Sequence, residues 1–575
     1  MLFNFTARRE AIEKDGVYVG GYGIRRAFKA VKHDGLYDTS EDRIEAMNAV
    51  EQDWDAKEER ALVRKLDFRV LLPCCLVYFM AYLDRANLGN VKVLQVGTSS
   101  SLVSALHLEG TQFNWAVSIS YFAVTALLLP STIILKKYSA KRYFPCAMIL
   151  CTAQSLSSFD DIDINHDLGG TIVMAMAGVK SGAGLLAARF CLGIPESGIV
   201  PCCVMYFSFW YRPRERALRL AFFHVSNSVA GAVSGFLAAG LDHLDGKGGL
   251  MSWQWVFIIE GAIPLVMAPV IYFLLLTFPE DSTALSERER YIAINRFGRG
   301  ATRSTDITWD TAAFIRIMTR PSTYCFFITY ICLTTIAVSQ ATFLPSIFHY
   351  FLKFGASKSN IYTAALNLAI IAPYLVIPWH SDKVRERIWH YLFCMLSSIP
   401  CYGVWLYFSY HSDDTSIAPI SLYGVGLLGM MVVVAQPIIL SYRSATLYGA
   451  AEQSVGTSAA VASLSIASII APQMFPDADA PLFHSGFIGC VILQVICVIS
   501  CLCIPTLLLL EAEHRKKKTG HAMPLRAILD AENSQVSEAT LARLHAIQAQ
   551  EAKELEDMKL GASGNVQYVE DVESR

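Results

Sequence analysis

A cation and an anion sit inside one long apolar run: Arg189 and Glu196, within Arg189-Phe-Cys-Leu-Gly193-Ile-Pro-Glu196-Ser-Gly198-Ile-Val-Pro201, which runs on to Trp210-Tyr211. Lipid offers neither group a partner, so such residues mark a substrate, ion or proton site unless they only lock helices together. Seven residues are close to two helical turns, which puts both groups on one face, roughly 10 Å apart along the axis. Gly193 lies between them on that face and leaves room for a ligand or a neighbouring helix. The pair therefore reads either as an internal lock or as an anion site with a proton-exchanging acid beside it. A second charged segment, Asp84-Arg85-Ala-Asn87-Leu-Gly89-Asn90, closes the first apolar run. Arginine suits a carboxylate because its planar fork donates two parallel hydrogen bonds. The rival reading of Arg85 is snorkelling to the interface beside Asp84.

Only apolar helices can hold such residues, and the composition supplies them. Of 575 residues, 53% are hydrophobic and 17% charged, against about 25% charged in an average soluble domain. The chain reads as an all-α membrane protein with polar ends. Apolar runs fall at roughly 68–88, 113–135, 142–157, 184–210, 217–241, 253–276, 323–345, 361–380, 389–409, 417–441, 454–475 and 485–510. That predicts twelve transmembrane helices, each near the ~20 residues that a bilayer needs. Basic residues cluster on alternate loops, as in Lys136, Lys137, Lys141 and Arg142, then Arg212, Arg214, Arg216 and Arg219, then Lys383, Arg385 and Arg387. The opposite loops carry Asp242, Asp245, Asp413, Asp414, Asp477 and Asp479. The positive-inside rule then puts both termini in the cytoplasm. The expected order is a cytoplasmic tail (1–66), a six-helix half (67–277), a cytoplasmic central loop (278–322), a second six-helix half (323–510) and a cytoplasmic tail (511–575). Two such halves with a binding site between them make a transporter architecture.

Other classes find little support. Fifteen cysteines lie almost wholly in apolar runs without zinc-ligand spacing, so they read as small buried apolar residues and no metal is expected. No nucleophile–base pattern or phosphate loop appears, so neither an enzyme nor a cofactor is expected. A net charge of −2 without a basic stripe argues against nucleic acid. The charged first 65 residues lack the apolar core of a signal peptide, leaving the first span as the insertion signal.

Taken together, the motifs resemble the major facilitator superfamily, specifically its anion:cation symporters and, most closely, the fungal allantoate, nicotinate and pantothenate permeases. The likeness is carried by Arg64-Lys-Leu-Asp67, by the Asp84–Asn90 segment and above all by Arg189-Phe-x-Leu-Gly193-x-x-Glu196-x-Gly198-x-x-Pro201. Trp253-Gln254-Trp255-Val-Phe-x-x-Glu260-Gly261, Phe278-Pro279-Glu280, Ser286-Glu287-Arg288-Glu289-Arg290 and Ser381-Asp382-Lys383-x-Arg385 extend it over about residues 58–515. The resemblance implies alternating access, with a small organic anion moved together with H⁺. It implies that Arg85 and Arg189 hold the anion and that Glu196 couples protonation to transport. Two departures stand out. Pro130-x-x-x-x-Leu135-Lys136-Lys137 replaces the superfamily's Gly-x-x-x-Asp pattern, and an acidic insertion of about 19 residues, with Asp160, Asp161, Asp163 and Asp167, interrupts the region of the third span. That insertion reads as an enlarged loop or as translated intron sequence.

Beyond the three carried residues, Asn87, Tyr121 and Gln340 are candidates for the substrate wall and His224 for a second proton site. Asn227, Asn367, Tyr374 and Gln436 are further cavity candidates, and each of these also reads as a helix–helix hydrogen bond. Asp84, Gly193, Gly198, Pro201, Asp382 and Arg385 are expected to shape or gate the bundle, and Gly231, Gly235 and Gly240 to allow close packing. The expected partners are a small organic anion, H⁺ and the lipid bilayer. A monomer in the plasma membrane is expected, with vacuolar or other internal membranes as the alternative. A sugar facilitator and a transporter-like nutrient sensor are the rival functions.

Overall fold

The computed structural model describes residues 53–153, 175–296, 311–384, 386–411, 419–447 and 449–519, with positions 8, 12, 19 and 522. Most of both tails, the acidic insertion and Arg385 lie outside the described residues, as does the side chain of Asp382. Described residues form helices and turns, without a strand among them.

Helix α1 (Ala56–Leu66) is opened by a reciprocal cap between Asp55 and Glu58 and buries Leu62 and Leu66. One π-helical turn leads from it into α2 (Leu72–Lys92). The rest of the first half comprises α3 (Gln112–Tyr138), α4 (Ala140–Ala153), α5 (Gly182–Glu196), α6 (Ile199–Trp210), α7 (Pro213–Leu241) and α8 (Ser252–Leu274). Helix α9 (Glu287–Asn295) lies in the central segment. The second half comprises α10 (Pro321–Ser346), α11 (Ala356–Ala369), α12 (Ile371–Val384), α13 (Ile388–Tyr410), α14 (Pro419–Gly429), α15 (Met431–Ser444), α16 (Gly449–Ile470) and α17 (His484–Thr519). Nine helical segments among the described residues are long and apolar enough to cross a membrane. Of the three other expected runs, 113–135 falls within α3, 454–475 in α16 and the short turn after it, and 142–157 in α4 as far as residue 153, its last four residues lying outside those described. Large apolar side chains such as Phe273 (73% exposed) and Val266 (69%) face outward, which suits a bundle whose solvent is lipid.

The run that opened the sequence analysis folds as two helices, α5 and α6, broken at Ser197-Gly198. Proline has no N–H and clashes with the carbonyl four residues back. Pro201 therefore falls in the first turn of α6, where its missing donor costs nothing. Gly193 sits where α5 meets α3; a Cβ there would stand 2.2 Å from the Ser120 carbonyl oxygen.

The halves meet through α2 with α10, α7 with α11 and α3 with α16. Polar contacts between them gather at the end of the bundle away from α1 and the tip of α17, here called the distal end. Asn114 Nδ2 donates to the Phe475 carbonyl at 3.1 Å, Ser118 Oγ to that of Ile469 at 3.0 Å, and Ser357 Oγ to that of Ala239 at 3.1 Å. Lys92, only 4% exposed, pairs with Asp477 across the interface, its ammonium 4.1 Å from the Phe113 ring centre and 5.2 Å from that of Phe343. A Cβ at Gly235 would stand 2.8 Å from the Asn360 carbonyl oxygen, and one at Gly231 3.2 Å from the Asn367 amide. Gly240 differs from expectation: nothing lies within 4 Å of its would-be Cβ, because it falls on the exposed side of α7.

At the opposite end, basic residues that the sequence assigns to membrane orientation also build the fold. Arg219 grips Asp67 from Nε and Nη2 at 2.8 and 3.1 Å. Arg212 pairs with Glu59 at 2.9 Å, and the buried Arg296 pairs with Glu215 and donates to the Trp210 carbonyl at 2.9 Å. Together they tie α1 and the central segment to the α6–α7 turn.

Candidate functional site

Between the halves lies a cavity with about 1090 Å³ of empty space, its open mouth included. From the first half, α2 gives Tyr78, Tyr82 and Arg85, α3 gives Tyr121, and α7 gives His224 and Asn227. From the second, α10 gives Tyr330, α11 gives Asn367 and α15 gives Gln436. The wall's aliphatic stretches include Val200, Val204, Leu440 and Leu464.

Arg85 lies on this wall, its side chain 16% exposed, with its guanidinium carbon 5.5 Å from the Tyr121 ring centre. Both its Nε and Nη2 reach Glu196 Oε2 at 3.0 Å. Glu196 itself is 2% exposed, and its other oxygen, Oε1, has no hydrogen-bond partner among the described residues. The anion is thus hidden behind the cation, and the cation is the face shown to the cavity. Such an arrangement can take an incoming anion in exchange for an internal one.

Arg189 lies apart from this pair. The seven-residue spacing does place it on the α5 face with Glu196, but Glu196 is taken by Arg85. Arg189 instead points between α2 and α8, where its Nη1 donates to the Asp84 carbonyl at 3.2 Å and its guanidinium carbon lies 5.9 Å from the Phe257 ring centre. Its Nε and Nη2 are buried without an acceptor among the described residues. Of the two arginines expected to share the cavity, only Arg85 is on its wall.

Two substrate-wall candidates also lie elsewhere. Gln340 packs behind the wall with its amide 3.1 Å from Tyr402 Oη, and Asn87 is 1% exposed inside the first half. Tyr374, likewise, is buried off the wall. His224 stands on the wall, edge-on to Tyr78 at 6.0 Å between ring centres. Sequence reasoning missed Tyr78, Tyr82 and Tyr330, because a phenol in an apolar run looks like any core aromatic. It also gave no role to Glu260, a fully buried acid in α8 close to Asp84 and Arg189; an acid within an apolar run is itself the signal.

The charges around the cavity, Asp84, Arg85, Arg189, Glu196 and Glu260, all belong to the first half. The second half offers phenols and amides. No cluster of three or more metal-ligating side chains occurs among the described residues.

Two packed helical halves around a polar-studded cavity, with charges buried in an apolar bundle, define a membrane carrier of small solutes. The family model of the Major Facilitator Superfamily matches residues 74–472, and the chain belongs to that family. It is accordingly an integral membrane protein, a secondary transporter working by alternating access rather than an enzyme. Similar proteins include the MFS transporter prlL of a fungal species, 29% identical over 62% of this chain and 68% of that one. The major facilitator-type transporter hxnP of Emericella nidulans is 24% identical over 81% of this chain and 89% of its own. Among solved structures, a bacterial homologue of the human lysosomal transporter Spinster, inward-facing, aligns with a TM-score of 0.52 at 13% identity, over 81% of this chain and 98% of that one. A D-xylose–proton symporter aligns at 0.54 and 13% identity, over 76% and 97%.

Proposed function

We propose that this transporter takes up a small organic anion together with H⁺. The substrate class is a carboxylate vitamin of the nicotinate or pantothenate kind, or an allantoate-like nitrogen compound. The observation that carries the reading is the Arg85–Glu196 pair, a guanidinium on the cavity wall backed by a buried acid. Protonating Glu196 frees Arg85 to bind the substrate anion; losing that proton on the other side restores the pair and expels the anion. Twelve spans with both termini cytoplasmic, a monomer, and the plasma membrane complete the proposal. In that orientation the distal end faces outward, and the arrangement described is a carrier shut to the outside.

A second reading is favoured by the wall itself. Phenols and amides such as Tyr82, Tyr330, Asn227, Asn367 and Gln436 suit hydroxyl-rich neutral solutes, and the structural neighbours include a xylose symporter. Uptake in a deletion strain, with a competition panel of nicotinate, pantothenate, allantoate, dicarboxylates and sugars, separates the two. Competition by carboxylates, with uptake abolished by protonophore, supports the anion reading. Competition by sugars alone, or indifference to protonophore, overturns it.

A further inference from the structure

Glu260 has no part in the scheme above, yet it is an acid buried within the bundle. Its side chain is fully buried, and neither carboxyl oxygen has a hydrogen-bond partner among the described residues. Asp84 of α2 and Arg189 of α5 act on it through charge, and the Ser234 hydroxyl of α7, which accepts from Asn90 Nδ2 at 2.8 Å, lies close by without making a hydrogen bond of ordinary geometry to it. Arg189 is its complement, with two buried guanidinium nitrogens lacking acceptors. Other charged groups on the elements packed around α8 are distant or engaged. Arg85 and Glu196 hold each other, and His224 faces the cavity. On α4, Lys141 lies over Tyr272, twelve residues or about 18 Å along α8 from Glu260. At the distal end, Asp242 accepts from Gln95 at 3.0 Å and Asp245 accepts the Ser252 N–H at 2.8 Å, and Ser252 is eight residues or about 12 Å from Glu260.

Charge arithmetic then singles out one group. Two arginines, Arg85 and Arg189, face three carboxyl groups, Asp84, Glu196 and Glu260. Glu196 has Arg85, and Arg189 alone is left within charge reach of both Asp84 and Glu260. One carboxyl group is thus left without a counter-charge of its own, and Glu260, fully buried where Asp84 is only half-buried, is the one for which ionisation costs most, so it is neutralised.

We propose that Glu260 is a second proton-carrying carboxyl of this carrier, neutral in the arrangement described and ionised when Arg189 turns to it. The step breaks the O–H bond of the Glu260 carboxyl and releases H⁺ to water, leaving the electron pair on the carboxylate; nothing is oxidised. The proposal rests on the anion-carrier reading. A substrate anion on Arg85 adds negative charge near Arg189 and Glu260, so loading holds the proton on Glu260 and unloading lets it go.

Infrared spectra of the full-length protein in lipid nanodiscs test this without any substrate. At neutral pH the wild type should show the C=O stretch of a protonated carboxyl group, lost in Glu260→Gln and kept in Glu196→Gln. A wild type without that band, or a band unchanged in Glu260→Gln, overturns the proposal. Should Glu260→Gln fail to fold, wild type carrying ¹³C at the glutamate side-chain carboxyl decides: the band must move to lower frequency, and an unmoved band belongs to an aspartic acid and overturns the assignment. A failed uptake panel would count against the anion reading and leave this result standing on its own.

Discussion

Arg85 spends two donors on a single oxygen of Glu196, so exchanging that acid for its amide changes charge far more than shape. Glu196→Gln removes the internal competitor for Arg85 permanently. Substrate should still bind and exchange across the membrane, while accumulation against a gradient is lost; counterflow and net-uptake assays in proteoliposomes read the two apart. A Gln variant that still concentrates substrate would remove Glu196 from the coupling step. The same residues show how far a sequence carries at this scale. Helical spacing places Arg189 and Glu196 on one face of one helix. It does not say which neighbouring helix arrives there, and α2 brings Arg85 to Glu196 while drawing Arg189 to the Asp84 carbonyl. Pairing is a property of tertiary contact, and the spacing argument holds only within an element.

The helices themselves were largely legible, because runs of about 20 apolar residues have few other uses. Their interior breaks were less so: the sequence flags Pro201 and Pro373, each just after a break, but the turn at Met430 between α14 and α15 has no proline beside it. Which side each helix turns to the cavity was illegible, since lipid and neighbouring helices both select apolar residues and leave no amphipathic stripe to read. The distal clasp was also hidden, as Lys92 and Asp477 lie 385 residues apart. It is asymmetric in a way that can be measured. The Lys92 side chain is 5% exposed and that of Asp477 34%. Asp477→Asn strands a buried ammonium, a loss of about 3 kcal/mol, partly offset by the Phe113 and Phe343 rings. Lys92→Met leaves a carboxylate that water still reaches, at about 1 kcal/mol or less. Spin labels at Glu109 and Ala478 should therefore report a more open distal end in Asp477→Asn than in Lys92→Met. Equal distance distributions in the two variants would mean that this ion pair does not hold the end shut.

Across the whole molecule, the segment between the halves is tied back to the start of the bundle by Lys65, whose ammonium lies 2.7 Å from Glu289 of α9. Partial burial acts to raise the Glu289 carboxyl, but the Lys65 hydrogen bond, with the backbone N–H and hydroxyl of Ser286, holds it below its ordinary value. A lowered acid stabilises the fold above the pH at which free glutamate titrates, and that contribution fades as pH falls through the lower native value. Lys65→Met should cost about 0.5 kcal/mol at neutral pH and nothing once pH has fallen below the lowered native value of Glu289, read as a melting-temperature difference that closes on acidification. A difference that persists in acid would assign the effect to packing of the lysine stem.

The confinement of the cavity's ionised groups to one half has a further consequence. The half that answers to charge and the half that answers to shape are separate stretches of polypeptide, joined by one segment and by contacts at the distal end. If H⁺ coupling rests on the first half as proposed, grafting a foreign second half onto it should change selectivity while leaving that coupling in place. Descendants of a chain so divided could change their cargo by changing one half alone.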